Sequence, residues 1–432
     1  MNDQIRLLIK DFRAIQEADI KLNGITVVSG INGCGKSSLS KFLYYTFKYA
    51  NEYDSLVISD LDDSLEDIFR LFKYIEQELI NTGKVLESRH DIMKINDEED
   101  ILVYLSETKG DIIRHLDYLF KEYENQIHTV GKKRIIHVIY DILNLQYEEK
   151  SLNALLPDLI QEVNKIFEDA FNLIRKRSSK VLLNRIQKEF RTSSLPKQYS
   201  VWEHESLIIA NHSESVSNIH FVQQAIYIDT PMILSYNHWS DLSKLLKKEE
   251  VLNYNEKFNS LISNDVLKGE SEFENNYFYS NERFRFKRQD GSEFDLLDCA
   301  TGVKAFSILQ LLLKNGTITK NTLLIIDEPE AHLHPQWIVE YARLIVLLNK
   351  EVGVRFFIAS HSPDMVSAIK YISQKEKVDS KVAFYLAQPT EKDRFRFTYK
   401  SLDRDIEPIF ESFNVAFDRI DQYGSADESD EI

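Results

Sequence analysis

Three glycines, a lysine and a serine stand at fixed spacing in Gly30-Ile31-Asn32-Gly33-Cys34-Gly35-Lys36-Ser37. The spacing is G-x-x-x-x-G-K-[ST], and its chemistry is that of a polyphosphate cradle. A loop that aims successive backbone N–H groups inward must bend sharply, which is the use of Gly30, Gly33 and Gly35. Lys36 then supplies a cation for the β- and γ-phosphates of ATP, and the Ser37 hydroxyl a ligand for Mg²⁺. Asn32 and Ser38 belong to the same ATP-binding set. A second group stands far downstream, where the apolar run Thr322–Ile326 ends in Asp327 and Glu328. Adjacent acids closing a buried strand are costly unless they face a ligand. Asp327 is expected to hold Mg²⁺, usually through water, and Glu328 to polarise an attacking water.

These residues need strands behind them. Ile25–Ser29 reads as the strand before the loop, and a helical pattern follows from Ser38. Upstream, the alternating runs Ile5–Ile9 and Ala18–Leu22 and the turn Asn23-Gly24 read as a β-meander feeding the loop. Downstream strands are expected at Leu207–Ala210, at Ala225–Asp229 (closed by Thr230-Pro231) and at Arg355–Ala359. A helical segment from Trp239 to about Val266 leads through Tyr277-Phe278-Tyr279 to a hairpin, Arg283–Arg288 and Glu293–Leu297 around Asp290-Gly291. An apolar helix then runs from Thr301 through Leu313. Val382–Leu386, Phe395–Tyr399 and a helix near Ile406–Phe417 complete the sheet and its cover.

The string DFRAIQEADIKLNGITVVSGINGCGKSSLSKFL resembles the opening of the RecF, SMC and OLD group of ABC-type ATPases. ATGVKAF, LLIIDEPEAHLHP and IASHSPD are similar to later motifs of the same group. The resemblance covers about residues 1–60 and 200–420. It implies an α/β fold: an ABC-ATPase core, with a mixed sheet, the P-loop and a helical signature lobe, carrying a large all-α insertion. It also implies roles. Arg13 would lie beside the nucleotide, its alternative being an ordinary surface arginine. His361 would contact the γ-phosphate. Thr301 and Gly302 match the hydroxyl-glycine pair of a degenerate signature that reads the γ-phosphate held by an opposite subunit, although Val303 departs from the second glycine; the alternative is a threonine N-cap without a ligand. Gln223 and Gln224 are the nearest match to a glutamine loop. His332 and His334 are taken as structural or interface residues. Two cores would thus clamp two Mg²⁺–ATP molecules in a head-to-tail homodimer or higher homo-oligomer. Cys34 of one chain would then approach Cys299 of the other, close enough for a short thiol crosslinker.

The boundaries expected are residues 1–60 for the first part of the core, 61–198 for the helical insertion, 199–420 for the rest of the core, and 421–432 for an acidic, disordered tail. The insertion shows apolar residues at helical spacing, among them Leu65, Ile68, Phe72, Ile112 and Leu116, as antiparallel helices or a coiled-coil arm would. Within it, Arg175–Arg191 carries seven basic residues (Arg175, Lys176, Arg177, Lys180, Arg185, Lys188, Arg191) against Glu189 alone. This is either a nucleic-acid contact or a solvated helix face.

The formal net charge of −16 confines any nucleic-acid contact to such a patch. Two cysteines exclude a disulfide framework, no apolar run reaches a membrane span, and Met1-Asn2-Asp3-Gln4 opens no leader, so a cytoplasmic protein is expected. By the same resemblance the chain looks like the ATPase subunits of bacterial anti-phage systems of the PARIS and Septu type, which control a separate TOPRIM or HNH nuclease. A RecF-like repair or recombination ATPase that binds DNA directly is the competing expectation. The chain after His361 is too short for a TOPRIM domain of its own.

Overall fold

A computed structural model describes residues 5–81, 100–126, 129–148, 151–192, 194–229, 240–251, 256–276, 281–403, 405–411 and 420–423. The acidic tail from Gly424, Thr230-Pro231, Trp239, Tyr277-Phe278-Tyr279 and most of the expected helix near Ile406–Phe417 lie outside the described residues. The chain divides into two compact units, Met1–Asn51 with Arg185–Ile432, and Glu52–Asn184.

The first unit holds strands β1 (Ile5–Phe12), β2 (Ile15–Leu22), β3 (Ile25–Ser29), β4 (Gln198–Glu203), β5 (Ser206–Ala210), β6 (Gln224–Ile228), β7 (Gly269–Asn276), β8 (Asn281–Arg288), β9 (Glu293–Asp295), β10 (Thr322–Asp327), β11 (Arg355–Ser360), β12 (Val382–Pro389) and β13 (Phe397–Asp403). Ten of them form one mixed sheet in the order β5-β4-β1-β2-β13-β12-β3-β11-β10-β6. β12, β3, β11, β10 and β6 run parallel, each neighbour to neighbour. All five residues of β3 and all six of β10 are buried, the continuous apolar reading of a central parallel strand. β1 alternates in and out, as a strand with one wet face does.

This arrangement corrects the expected meander. β1 and β2 do form an antiparallel hairpin, but β13 and β12 lie between β2 and β3. An uninterrupted apolar strand such as β3 needs parallel partners with both faces covered, and it finds them in β11 and β12. Gly24 is the crossing point: its carbonyl accepts from Phe356 N–H at 2.7 Å, and a Cβ there would stand 2.8 Å from the Lys381 carbonyl oxygen.

Helix α1 (Lys36–Asn51) leaves the loop. The segment expected as one helix from Trp239 is broken into α7 (Ser240–Leu246), α8 (Glu256–Ser260) and a π-helical turn, Leu261–Val266. α9 (Thr301–Lys314) packs on the small antiparallel sheet β7-β8-β9. A buried polar network ties it there. Gln310 accepts from Ser271 N–H at 2.8 Å and donates to Asn259 and Ser263 at 2.9 and 2.7 Å, and Ser271 Oγ donates to Ser307 Oγ at 2.7 Å. α10 (Pro335–Glu351) and α11 (Pro363–Lys375) complete the cover of the parallel strands.

The second unit is helical: α2 (Tyr53–Asn81), α3 (Ile101–Gln126), α4 (Thr129–Leu143), α5 (Leu152–Lys176) and the first turns of α6 (Ser179–Phe190). α2 begins at Tyr53, ahead of the Leu61 at which the sequence changes character. Leu65, Ile68, Phe72, Ile112 and Leu116 of the expected stripe are buried in its core, and Leu159 and Phe167 of α5 join them. The basic run is not one helix. Arg177 adopts left-handed φ at the end of α5, so Arg175 and Lys176 stand on one helix and Lys180, Arg185 and Lys188 on the next. Arg177 lies 3.9 Å from Asp54 and stacks on Tyr53, and Arg185 pairs with Glu189 at 3.3 Å.

Candidate nucleotide site

The register of three neighbouring parallel strands sets the site. Ser29 at the end of β3 pairs with Ser360 at the end of β11, and Ala359 pairs with Asp327 at the end of β10. Loop residues, the two acids and His361 therefore emerge at the same edge, where open α/β sheets bind ligands. Arg13 and Ala14 of the β1–β2 turn, Asn32, Gly33, Gly35, Lys36, Ser37 and Ser38 of the loop, and Glu328 line a cavity of about 360 Å³.

The loop is packed from beneath. A Cβ on Gly30 would stand 2.8 Å from Ala387 Cβ, and one on Gly35 would stand 2.7 Å from Ile15 Cγ1; both positions also have positive φ. Lys36 begins α1 and folds its buried ammonium onto the loop, donating to the carbonyls of Gly30 at 2.9 Å and Ile31 at 3.2 Å. Tyr399 donates to the Cys34 carbonyl at 3.2 Å, and the Cys34 thiol lies 3.7 Å from the same hydroxyl. That thiol is 0% exposed, tucked under the loop, so the crosslink from Cys34 to Cys299 is not available to a reagent in this conformation.

Asp327 is buried. Its Oδ2 accepts from the Tyr227 hydroxyl at 3.0 Å, and its Oδ1 has no hydrogen-bond partner. Burial pushes its pKa up, the Ser37 hydroxyl opposes the rise, and the charge of Asp229 adds to it. Burial, with Asp327 beside it, also holds the Tyr227 hydroxyl well above its ordinary pKa, so it stays a donor. Glu328 stands in the left-handed region at φ 51°, with its N–H bonded to the Ala359 carbonyl at 2.8 Å and its side chain 34% exposed. His361 Nδ1 lies 3.5 Å from Glu328 Oε1 and 3.4 Å from Glu330 Oε1.

Other residues fall elsewhere. Arg13 lines the cavity but donates to the Phe190 carbonyl at 3.0 Å and stacks on the Phe190 ring. Thr301 and Gly302 do not line the cavity, and Ala300, not Thr301, is the N-cap of α9. Gly302 has a packing reason to be glycine: a Cβ would stand 2.5 Å from the Trp337 ring. Gly302→Ala is accordingly expected to destabilise the fold by about 1–3 kcal/mol, read as a lowered urea midpoint with the slope unchanged; an unchanged midpoint would show that Trp337 yields freely. His334 caps α10, accepting from Gln336 N–H at 3.4 Å through Nδ1. No cluster of three metal-ligating side chains occurs among the described residues, and no helix among them is long and apolar enough to cross a membrane.

Gln223 and Gln224 are at the wrong end. Gln224 pairs with Thr322, the first residue of β10, whereas Ile228 pairs with Ile326, so it is Asp229 that follows at the Asp327 end of the strand, where its charge acts on Asp327. Tyr227 and Glu330 carry no sequence signal of their own; one is a tyrosine in an apolar strand, the other is absorbed in the string around Pro329.

Known proteins resemble the chain over different lengths. The chain is 32% identical over 97 residues to the Old nuclease of Escherichia phage P2, a stretch that covers 22% of this chain and spans 16% of that protein. A structure of the Smc head domain with an extended coiled coil, bound to the C-terminal domain of ScpA, from Pyrococcus furiosus, aligns over 95% of this chain and 98% of its own at 11% identity, with a TM-score of 0.34. The SMC head domain from Thermotoga maritima aligns over 48% of this chain and 68% of its own at 14% identity, with a TM-score of 0.28. A family model described as AAA ATPase domain matches residues 5–366, from the first strand past His361, and so takes in every residue that lines the cavity. The chain belongs to the AAA ATPase domain family.

Proposed function

We propose that the chain is an ABC-type ATPase that hydrolyses ATP in a head-to-tail dimer and uses the cycle to control a separate nuclease of the TOPRIM or HNH class in bacterial anti-phage defence. One observation carries the enzymatic part: Lys36, Ser37, Asp327 and Glu328 converge at the ends of adjacent parallel strands, with Lys36, Ser37 and Glu328 lining one cavity. The similarity to the Old nuclease supports the link to a nuclease.

The residues divide the work of phosphoryl transfer, in which a protein mainly positions groups and neutralises charge. Backbone N–H groups of the loop and the start of α1 hold the phosphates. Lys36 exchanges its two loop carbonyls for phosphate oxygens. Asp327 Oδ1, buried and unpartnered, and the Ser37 hydroxyl that acts on the same carboxyl are hard oxygens of the kind that fit Mg²⁺. Mg²⁺, when bound, neutralises charge on the phosphate oxygens. Tyr227 fixes the other oxygen of Asp327, so Oδ1 points to one place. Glu328, half-exposed at the cavity, orients water for attack on the γ-phosphate, and His361 contacts that phosphate from the neighbouring strand end.

The same cavity lacks Thr301 and Gly302, which a second copy would contribute. Sedimentation velocity with Mg²⁺ and a non-hydrolysable ATP analogue tests this: a dimer is expected, and a chain that binds the analogue yet stays monomeric would sink the shared site. The adjacent open reading frame tests the biological role. A TOPRIM or HNH nuclease there supports defence; replication genes there support a repair ATPase.

A further inference from the structure

Glu330 has no part in the chemistry above, yet only 5% of its side chain is exposed and its Oε2 is buried with no partner. Burying a carboxylate is expensive unless neighbouring groups use its charge. The end of β11 uses it. Glu330 Oε1 accepts from the Ser360 hydroxyl at 2.8 Å and from the His361 backbone N–H at 2.8 Å. Ser360 Oγ in turn accepts from Ser362 N–H at 3.1 Å, and Ser362 caps α11. One carboxylate oxygen thus anchors the whole strand-to-helix turn that carries the histidine.

The imidazole itself is held by one edge. Nδ1 is buried without a hydrogen bond, facing Glu330 at 3.4 Å and Glu328 at 3.5 Å, while the side chain as a whole is 42% exposed. The outward edge is therefore the one that carries Nε2. Two acids compete for Nδ1 at nearly equal distance, and one of them is needed to orient water.

We propose that Glu330 is the positioning residue that sets the orientation and tautomer of His361, drawing the ring proton to Nδ1, keeping Nε2 outward and leaving Glu328 free for water. A ring fixed in this way leaves Nε2 as the outward nitrogen, the one free to meet a phosphate oxygen. The use made of Nε2 rests on the ATPase reading; the orientation does not.

Long-range ¹H–¹⁵N spectra of the full chain with labelled histidine, recorded across a pH series, test the orientation directly. His361→Gln identifies the resonance by its loss. The Nδ1–H tautomer is expected in the wild type, and a shift toward Nε2–H in Glu330→Gln, whose amide still accepts from Ser360 and His361 but lacks the charge. ATP turnover in Glu330→Gln is expected to fall about tenfold with KM within about twofold of wild type, the split of a group that acts after binding. An Nε2–H tautomer in the wild type overturns the proposal whether or not the variant folds, and so does a His361 signal unmoved by Glu330→Gln. A tautomer that shifts as expected in a chain without ATPase activity upholds the positioning role and rejects the ATPase reading instead.

Discussion

Glu328→Gln is expected to bind Mg²⁺–ATP with wild-type affinity and to turn it over about a hundred- to a thousandfold more slowly. The backbone at this position is fixed independently of the side chain, through the Glu328 N–H to the Ala359 carbonyl, so the amide should sit where the carboxylate sat. The shape survives; the negative charge to which the proposal assigns the orienting of water does not. Calorimetric titration with ATP separates binding from single-turnover rates. Turnover near the wild-type rate would transfer the water-orienting role to another carboxylate, with Asp327 and Glu330 the nearest candidates by position.

Lys36→Ala is expected to lose ATP binding by about ten- to a hundredfold, the worth of a charge-assisted phosphate contact. The ammonium also satisfies the Gly30 and Ile31 carbonyls. The variant should therefore show a loosened loop as well as weak binding, and its thermal midpoint must be measured beside its affinity. Wild-type affinity in a folded Lys36→Ala chain would show that the backbone cradle alone holds the phosphates, and would remove Lys36 from the catalytic set.

Much of this site is legible in the sequence because its residues follow one local rule, that of a strand ending in polar groups. Ile25–Ser29 before the glycines, Thr322–Ile326 before the acids and Arg355–Ala359 before Ser360-His361 all announce themselves as apolar runs with an abrupt stop. Strand order is not announced. Asn23-Gly24 suggests a hairpin between β2 and β3, and only the full sheet shows that β3 takes its partners from the far end of the chain. Direction along a strand is equally silent: two glutamines beside an apolar run look well placed until the register puts them at the opposite edge from Asp327. Tyr227 and Glu330 are invisible for a different reason. Each acts on a residue about 100 and 30 positions away, respectively, and nothing local to either marks a contact that only the folded sheet creates.

The pairing of Ser29 with Ser360 and of Ala359 with Asp327 has a consequence for how such a site can vary. Neighbouring strands lie about 4.8 Å apart, a spacing fixed by backbone hydrogen bonds and indifferent to side chains. The strand ends are thus a comb with rigid teeth, and substitutions within β3, β10 or β11 can loosen the comb but cannot re-space it. Freedom to adjust rates resides in what hangs from the tips, in the one to three residues after each strand: Glu328, Glu330 and His361. Variants selected for faster or slower turnover should accumulate at those tips and at the side chains that steady them, while the apolar positions of the teeth tolerate only apolar exchanges of similar volume.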